Sequence, residues 1–329
     1  MIDEKSPTRS VMTNLSLCLT ESAARYPDAA VLRCDGVTTT YSMLAADVAR
    51  FADYLIDGGV EPGGHVGVML PNGPPFAVVF YGVLRAGGVV VAMNPSLSFR
   101  AVEFDSTVTD TRILFHAGRR AVSTDLAAVT AGTQPVRIGK HGIAALTAGL
   151  SGRTEPVLRA GDDIAFTVYA SGATGVPEVT QLTHGELIRN GSIIARSVLD
   201  LGSDDIVMGC LPLFEGSGLS CGLLAAVSAE VTLVLQPRFN SRRVLEMIAA
   251  ERVTVFEGMP AMYRSMLAAA DRCPQNLDSL RVCLSIGSPI PADALRRFED
   301  KFGCTVVQAT DSALLDAWRA TGTVGREET

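Results

Sequence analysis

At 329 residues, 47% hydrophobic and 19% charged, the chain can bury one large core or two, which excludes a disordered or low-complexity protein. The balance is acidic, 28 Lys and Arg against 35 Asp and Glu for a net charge of −7, and no basic run stands out. Nucleic-acid binding is thereby excluded as the main activity. The seven cysteines are scattered, odd in number and form no C-x-x-C pair, so no zinc or redox site is expected, and a reducing, cytoplasmic compartment fits.

The first ten residues, MIDEKSPTRS, are polar and lack the apolar centre of a signal peptide. A helix is predicted over 41–57 and a strand over 65–70. The apolar run 76–93, broken by Arg85, divides into a helix over 76–86 and a strand over 88–93. A strand over 112–115 follows, and then a polar stretch, 149–163, that reads as a boundary between a first unit of residues 1–160 and a second of 161–329. Beyond it, strands are predicted over 164–169, 206–211, 231–235, 253–256, 280–285 and 305–307, with helices over 184–199, 241–251 and 261–271. Ser241 is expected to cap the second of these helices, and Pro291-Ala292-Asp293 to open another. The run 216–229, bounded by Glu215 and Glu230, is too short for an uninterrupted membrane span and reads as buried core. The strands are continuously hydrophobic, as strands covered on both faces are. Strand–helix alternation of this kind predicts α/β architecture with mainly parallel sheets.

The segment 163–187, DIAFTVYASGATGVPEVTQLTHGEL, runs from a strand into a loop rich in Gly, Ser and Thr. Free N–H groups and hydroxyls in such a loop suit an anion, here Ser171, Gly172, Thr174 and Gly175. No Lys-Ser/Thr follows the second glycine, so it is not a Walker A loop. A ligand-free turn explains the composition equally well. Thr183 with Glu186 three residues on forms a capping box for the next helix.

That segment resembles the signature loop of the adenylate-forming superfamily, the acyl-CoA synthetases and their relatives, where it reads Tyr-Thr-Ser-Gly-Thr-Thr-Gly-x-Pro-Lys-Gly and then Leu-Thr-His. Further elements agree in order: Thr39-Thr40-Tyr41-Ser42-Met43-Leu44, Leu84-Arg85-Ala86-Gly87-Gly88 with Asn94-Pro95, Leu211-Pro212-Leu213-Phe214, Val253-Thr254-Val255-Phe256 with Pro260, and Leu284-Ser285-Ile286-Gly287-Ser288-Pro289. The resemblance covers roughly residues 14–310 and implies two doubly wound, mainly parallel sheet subdomains like the large N-terminal domain of acyl-CoA synthetases, without the small barrel and C-terminal domain. It also implies a ligand pocket with Tyr169, His184, Phe214, Ser217, Phe256, Glu257, Met259, Tyr263, Ile286, Gly287 and Thr310 as candidates.

The family couples a carboxylate to ATP, with magnesium, and then passes the acyl group to CoA. Here the loop lysine is Glu178, the next glycine Val179 and one threonine Ala173. An acid beside a triphosphate inverts the local charge, at a cost on the order of several kcal/mol. The family histidine after Phe214 is Glu215, the adenine-side glycine is Ile286, and Ala309–Leu314 lacks the aromatic, threonine and glutamate of the adenine and magnesium motif. The resemblance with these replacements implies a small hydrophobic acyl or aryl ligand, no ATP-dependent ligation, no bound metal and no cofactor. Glu215 and Asp311 are the candidate catalytic acids of a repurposed acid/base site. A non-catalytic binding or scaffold protein and a residual ligase completed in trans stand beside that reading. His184 reads equally as a helix-start residue, and Trp318 on an apolar seam suggests a homodimer.

Overall fold

Asp35 and Gly36 both hold left-handed backbone, with φ of 48° and 77°, and close a two-residue turn between β1 (Ala30–Cys34) and β2 (Val37–Thr40). The computed structural model describes residues 13–309 apart from 119–124, 129, 131, 140–141, 153–154 and 172–176. Thr40 ends β2 and caps the helix Tyr41–Asp57 by accepting the Met43 N–H at 3.2 Å. The chain continues through β3 (His65–Met69), the helix Pro74–Arg85, β4 (Val89–Ala92), the helix Phe99–Val108, β5 (Ile113–His116) and β6 (Gln134–Arg137). β7 (Ile164–Ser171) and β8 (Pro177–Thr183) lead into the helix His184–Ile193. Thr183 and Glu186 form the expected capping box there, each side chain bonding the other's backbone N–H.

β9 (Ile206–Gly209) precedes a helical run, Gly216–Ala229, whose middle, Leu219–Leu224, is wound as a π-helix. β10 (Thr232–Leu235), the helix Ser241–Glu251, β11 (Val255–Gly258), the helix Pro260–Ala270, β12 (Val282–Ile286), the helix Ala292–Phe302 and β13 (Thr305–Ala309) complete the order. Asn240, not Ser241, caps its helix, accepting the Arg243 N–H at 3.0 Å. The chain is extended at Asn240, while Ser241 already lies inside the helix.

Two mainly parallel sheets result, as expected. Among the described residues one has six strands in the order β6-β5-β3-β4-β7-β8, the other seven in the order β13-β12-β11-β9-β10-β1-β2. Only the pairs β1–β2 and β7–β8 run antiparallel within these sheets. The boundary expected at 160/161 does not separate them. The β1–β2 hairpin joins the strands of the later half, while β7 and β8 extend the sheet of the earlier half.

Val66, Val68 and Val90 of one sheet share a single core with Val31, Leu32, Val207 and Leu233 of the other. The helices Tyr41–Asp57 and Pro74–Arg85 and the run Gly216–Ala229 fill the space between. Burial of every residue from Phe76 to Arg85 explains why that stretch is hydrophobic all round. A second core lies on the other face of the seven-stranded sheet, and a third, smaller one packs around Val91, Met93 and Leu114. No described helix is long and apolar enough to cross a membrane.

Candidate functional site

In each sheet the direction of winding reverses after a single outward step. The chain steps from β3 out to β4 and then returns to the far side of β3 for β5; likewise it steps from β9 to β10 and returns to the far side of β9 for β11. Ligands of open α/β sheets bind outside the carboxyl ends of the strands at such reversals. Here the two reversals face one cavity of about 670 Å³. It is lined by residues leaving β3 (Met69, Pro71, Asn72), β4 (Asn94 to Leu97), β9 (Cys210, Pro212, Phe214) and β10 (Pro237, Arg238, Phe239).

Local chemistry fixes these loops. Buried Asn72 donates from Nδ2 to the Leu211 carbonyl at 2.8 Å and accepts the Leu213 N–H at Oδ1 at 2.9 Å, tying the end of β3 to the end of β9. Asn94 accepts the Ser96 N–H at 2.8 Å in a side-chain turn. At Gly218 an added Cβ would lie 2.2 Å from the Pro212 carbonyl oxygen, so only glycine lets the helical run start this close to the Leu211–Phe214 turn. The walls carry Phe99, Phe214, Phe239, Met259 and Met262, and Arg238 supplies a guanidinium. No carboxylate lines the cavity among the described residues. Such a site suits an apolar body bearing an anion.

Of the residues expected from sequence, Phe214 and Met259 line this cavity. Ser217 is half-buried on the helical run and is not part of the lining. Phe256 and Tyr263 are corrected to core residues: their rings pack edge to face at 5.4 Å, and Tyr263 meets Phe298 at 4.9 Å, on the sheet face turned toward the helices Ser241–Glu251, Pro260–Ala270 and Ala292–Phe302. Ile286 likewise packs into the main core. Gly287 leaves β12 with φ of 107°, and its N–H donates to the Ala309 carbonyl at 3.1 Å.

His184 is a core histidine. It is buried, and its Nδ1 accepts the Leu15 N–H at 3.1 Å, which places the ring proton on Nε2. Burial, and then the nearby Arg159, lower its pKa to about 4. Glu215 is exposed and is not part of the cavity lining. Asp311 and Thr310 lie outside the described residues, as do Gly172, Thr174, Gly175 and Trp318. Ser171 and Tyr169 are placed by backbone alone. Ser171 pairs with Pro177 and Ala170 with Glu178, so the two ends of the glycine-rich stretch run side by side at a sheet edge.

The buried acid of this region is Glu257. It alternates with Phe256 on β11 and faces the helical run, between Gly209 of β9 and Leu284 of β12. It is wholly buried, and neither carboxyl oxygen has a hydrogen-bond partner among the described residues. Burial raises its pKa well above the ordinary carboxylate range.

Residues 169–183 hold no Lys or Arg and one acid, Glu178, and the family's loop glycine is replaced by Val179, whose side chain is 52% exposed. No cluster of three His, Cys, Asp or Glu side chains able to hold a metal occurs among the described residues.

The AMP-binding enzyme family model matches residues 19–314. A feruloyl-CoA synthase of Amycolatopsis sp is 32% identical over 283 residues, covering 86% of this chain and 56% of the relative. A benzoate–CoA ligase of Thauera aromatica is 31% identical over 290 residues, covering 84% and 54%. The chain thus spans little more than half the length of these relatives. Among solved structures, the inhibitor-bound N-terminal domain of FACL13 from Mycobacterium tuberculosis superposes with a TM-score of 0.83 at 25% identity, covering 91% of this chain and 75% of that one. The anthranilate CoA ligase AuaEII in complex with anthranoyl-AMP gives a TM-score of 0.86 at 20% identity, covering 91% and 60%.

Proposed function

Because the chain belongs to the AMP-binding enzyme family, we propose that it binds a small hydrophobic acyl or aryl carboxylic acid between its two sheets without ATP-dependent ligation. The observation that carries this reading is the cavity at the paired winding reversals, apolar in its walls and furnished with Arg238. The guanidinium attracts the carboxylate, and the aromatic and methionine side chains cover the body. The feruloyl- and benzoate-CoA relatives favour the same substrate class. The second half of the reading rests on Glu178, Val179 and Ile286, where the family's phosphate and adenine contacts are replaced by an acid and by side-chain bulk. The reading places the protein in a reducing cytoplasm, on the scatter of its seven cysteines.

Calorimetric titration with cinnamic, benzoic and medium-chain fatty acids tests the first half, with micromolar binding of at least one expected. ATP–pyrophosphate exchange over the same acids tests the second. Robust exchange sinks the proposal that ligation is lost.

A further inference from the structure

Cys283 and Cys304 stand 21 residues apart in the chain, a spacing that forms no redox motif. The strand order brings them together all the same. β12 and β13 run parallel with Cys283 opposite Val306, and Cys304 lies two residues before Val306, on the same face of the sheet. The two Sγ atoms are 3.8 Å apart, in hydrogen-bond contact, within the core that holds Phe256, Tyr263 and Phe298. The two thiols are not equivalent. Cys283 is wholly buried, whereas Cys304 keeps 6% of its surface at the start of β13, the edge strand of the sheet. A hydrogen bond from the Cys283 thiol lowers the pKa of Cys304, while burial raises that of Cys283, so Cys304 is the readier thiolate. A disulfide needs the sulfurs at about 2 Å, and the backbone before Cys304 can give. Gly303 ends the preceding helix with φ of 66°, and a Cβ added there would meet nothing within 4 Å.

We infer that Cys283 and Cys304 form a redox-sensitive latch, which a peroxide oxidises to a disulfide that fastens the edge strand β13 to β12. The Cys304 thiolate attacks one peroxide oxygen and the O–O bond breaks. The departing hydroxide takes up the proton that the thiol released, leaving a Cys304 sulfenic acid and one water. The Cys283 sulfur then displaces the sulfenic hydroxyl; the S–S bond forms, and the Cys283 proton leaves with that hydroxyl as a second water. Two thiols thereby lose two electrons and two protons, and one hydrogen peroxide becomes two waters. The bond closes a loop around the helix Ala292–Phe302, which lies between the two cysteines. It also steadies the loop leaving β12, because Gln308 of β13 accepts the Ile290 N–H at 2.7 Å and the Ala309 carbonyl accepts the Gly287 N–H at 3.1 Å. In a reducing compartment the thiols are the resting form, and the latch closes only under oxidant.

The test treats the reduced full chain with an equimolar amount of hydrogen peroxide, with Cys304→Ser and Cys283→Ala alongside. A non-reduced proteolytic digest of the unaltered protein, read by mass spectrometry, should contain the Cys283 and Cys304 peptides joined with the loss of two hydrogens. Dithiothreitol should release them. The oxidised chain should melt roughly 5 °C above the reduced one, and Cys304→Ser should show no such rise. In Cys283→Ala the sulfenic acid has no thiol to resolve it, and dimedone should label Cys304. Recovery of the two peptides unjoined, or joined to other cysteines, overturns the inference. So does a Cys304 sulfinic acid beside a free Cys283 thiol, and so does a melting rise that persists in Cys304→Ser. The digest is read on the unaltered protein, so the inference stands or falls even where a variant does not fold.

Discussion

Phe256 and Glu257 are adjacent on one short strand and face opposite ways, and their surroundings could hardly differ more. Phe256 enters an edge-to-face aromatic chain through Tyr263 and Phe298 to Phe302, with successive centroids 5.4, 4.9 and 4.6 Å apart. Its one unmatched group is the Tyr263 hydroxyl, a neutral donor without a partner among the described residues. Glu257 looks the other way into a glycine-lined niche with both oxygens unmatched. One face of the seven-stranded sheet carries this chain of rings; the other keeps a costly buried acid. Such a cost persists where something other than stability maintains it.

The largest expected effect tests the apolar face. Phe298 is the buried residue of its helix, and truncation to alanine removes the centre of the aromatic chain. A loss of about 3–5 kcal/mol is expected in urea unfolding, and a loss under about 1 kcal/mol would mean that the ring chain does not hold this face.

His184 gives the next effect, of about 3 kcal/mol, from a pKa lowered from 6.5 to about 4. The folded protein holds this ring neutral, while the unfolded chain takes up a proton below about pH 6.5. Stability therefore falls as pH drops from about 6.5 toward 4, and the Leu15 N–H loses its acceptor on protonation. Urea midpoints measured across that range should show the slope, and His184→Gln should flatten it. The position separates what was legible in the sequence from what was not. Thr183 and Glu186 declare the helix start by their spacing alone, but that His184 reaches back 169 residues to Leu15 is a tertiary fact.

The same division runs through the fold. The helices 41–57 and 241–251 were readable to the residue, because apolar periodicity and flanking polar residues agree there. Pro177–Thr183 reads as loop, since PEVTQLT is short and polar, and becomes a strand by pairing with β7. Strands buried on both faces also hide which side each residue takes. VFEG on β11 is buried throughout, so Phe256 and Glu257 looked alike as pocket residues until neighbouring strands fixed the facing. Arg238 and Asn72 were missed because they become neighbours of one cavity only through the strand order.

Glu257→Leu should raise stability by about 1–3 kcal/mol, the sign opposite to Phe298→Ala. Because the folded state keeps its carboxyl protonated after the unfolded chain has released its proton, stability of the unaltered protein declines as pH rises above about 4.3. The advantage of leucine therefore grows with pH over that range, and thermal melts at pH 4.5 and 7.5 read it directly. Destabilisation at both values would mean that Glu257 has a partner in the chain after all, and the contrast between the two faces would close.

The smallest effect belongs to Arg238, an exposed residue on the cavity wall. Its guanidinium holds no structural position that another described residue depends on: the hydrogen bond at this residue runs from Gln236 Nε2 to the Arg238 backbone carbonyl, which alanine keeps. Arg238→Ala should leave the urea midpoint unchanged and weaken carboxylic-acid binding by about five- to tenfold, roughly 1 kcal/mol for a solvent-screened charge contact. The weakening should be the same for plain and hydroxylated acids, since the arginine meets the carboxylate common to both, and should shrink as salt is raised. An effect independent of salt would mean that the arginine acts by packing rather than by charge.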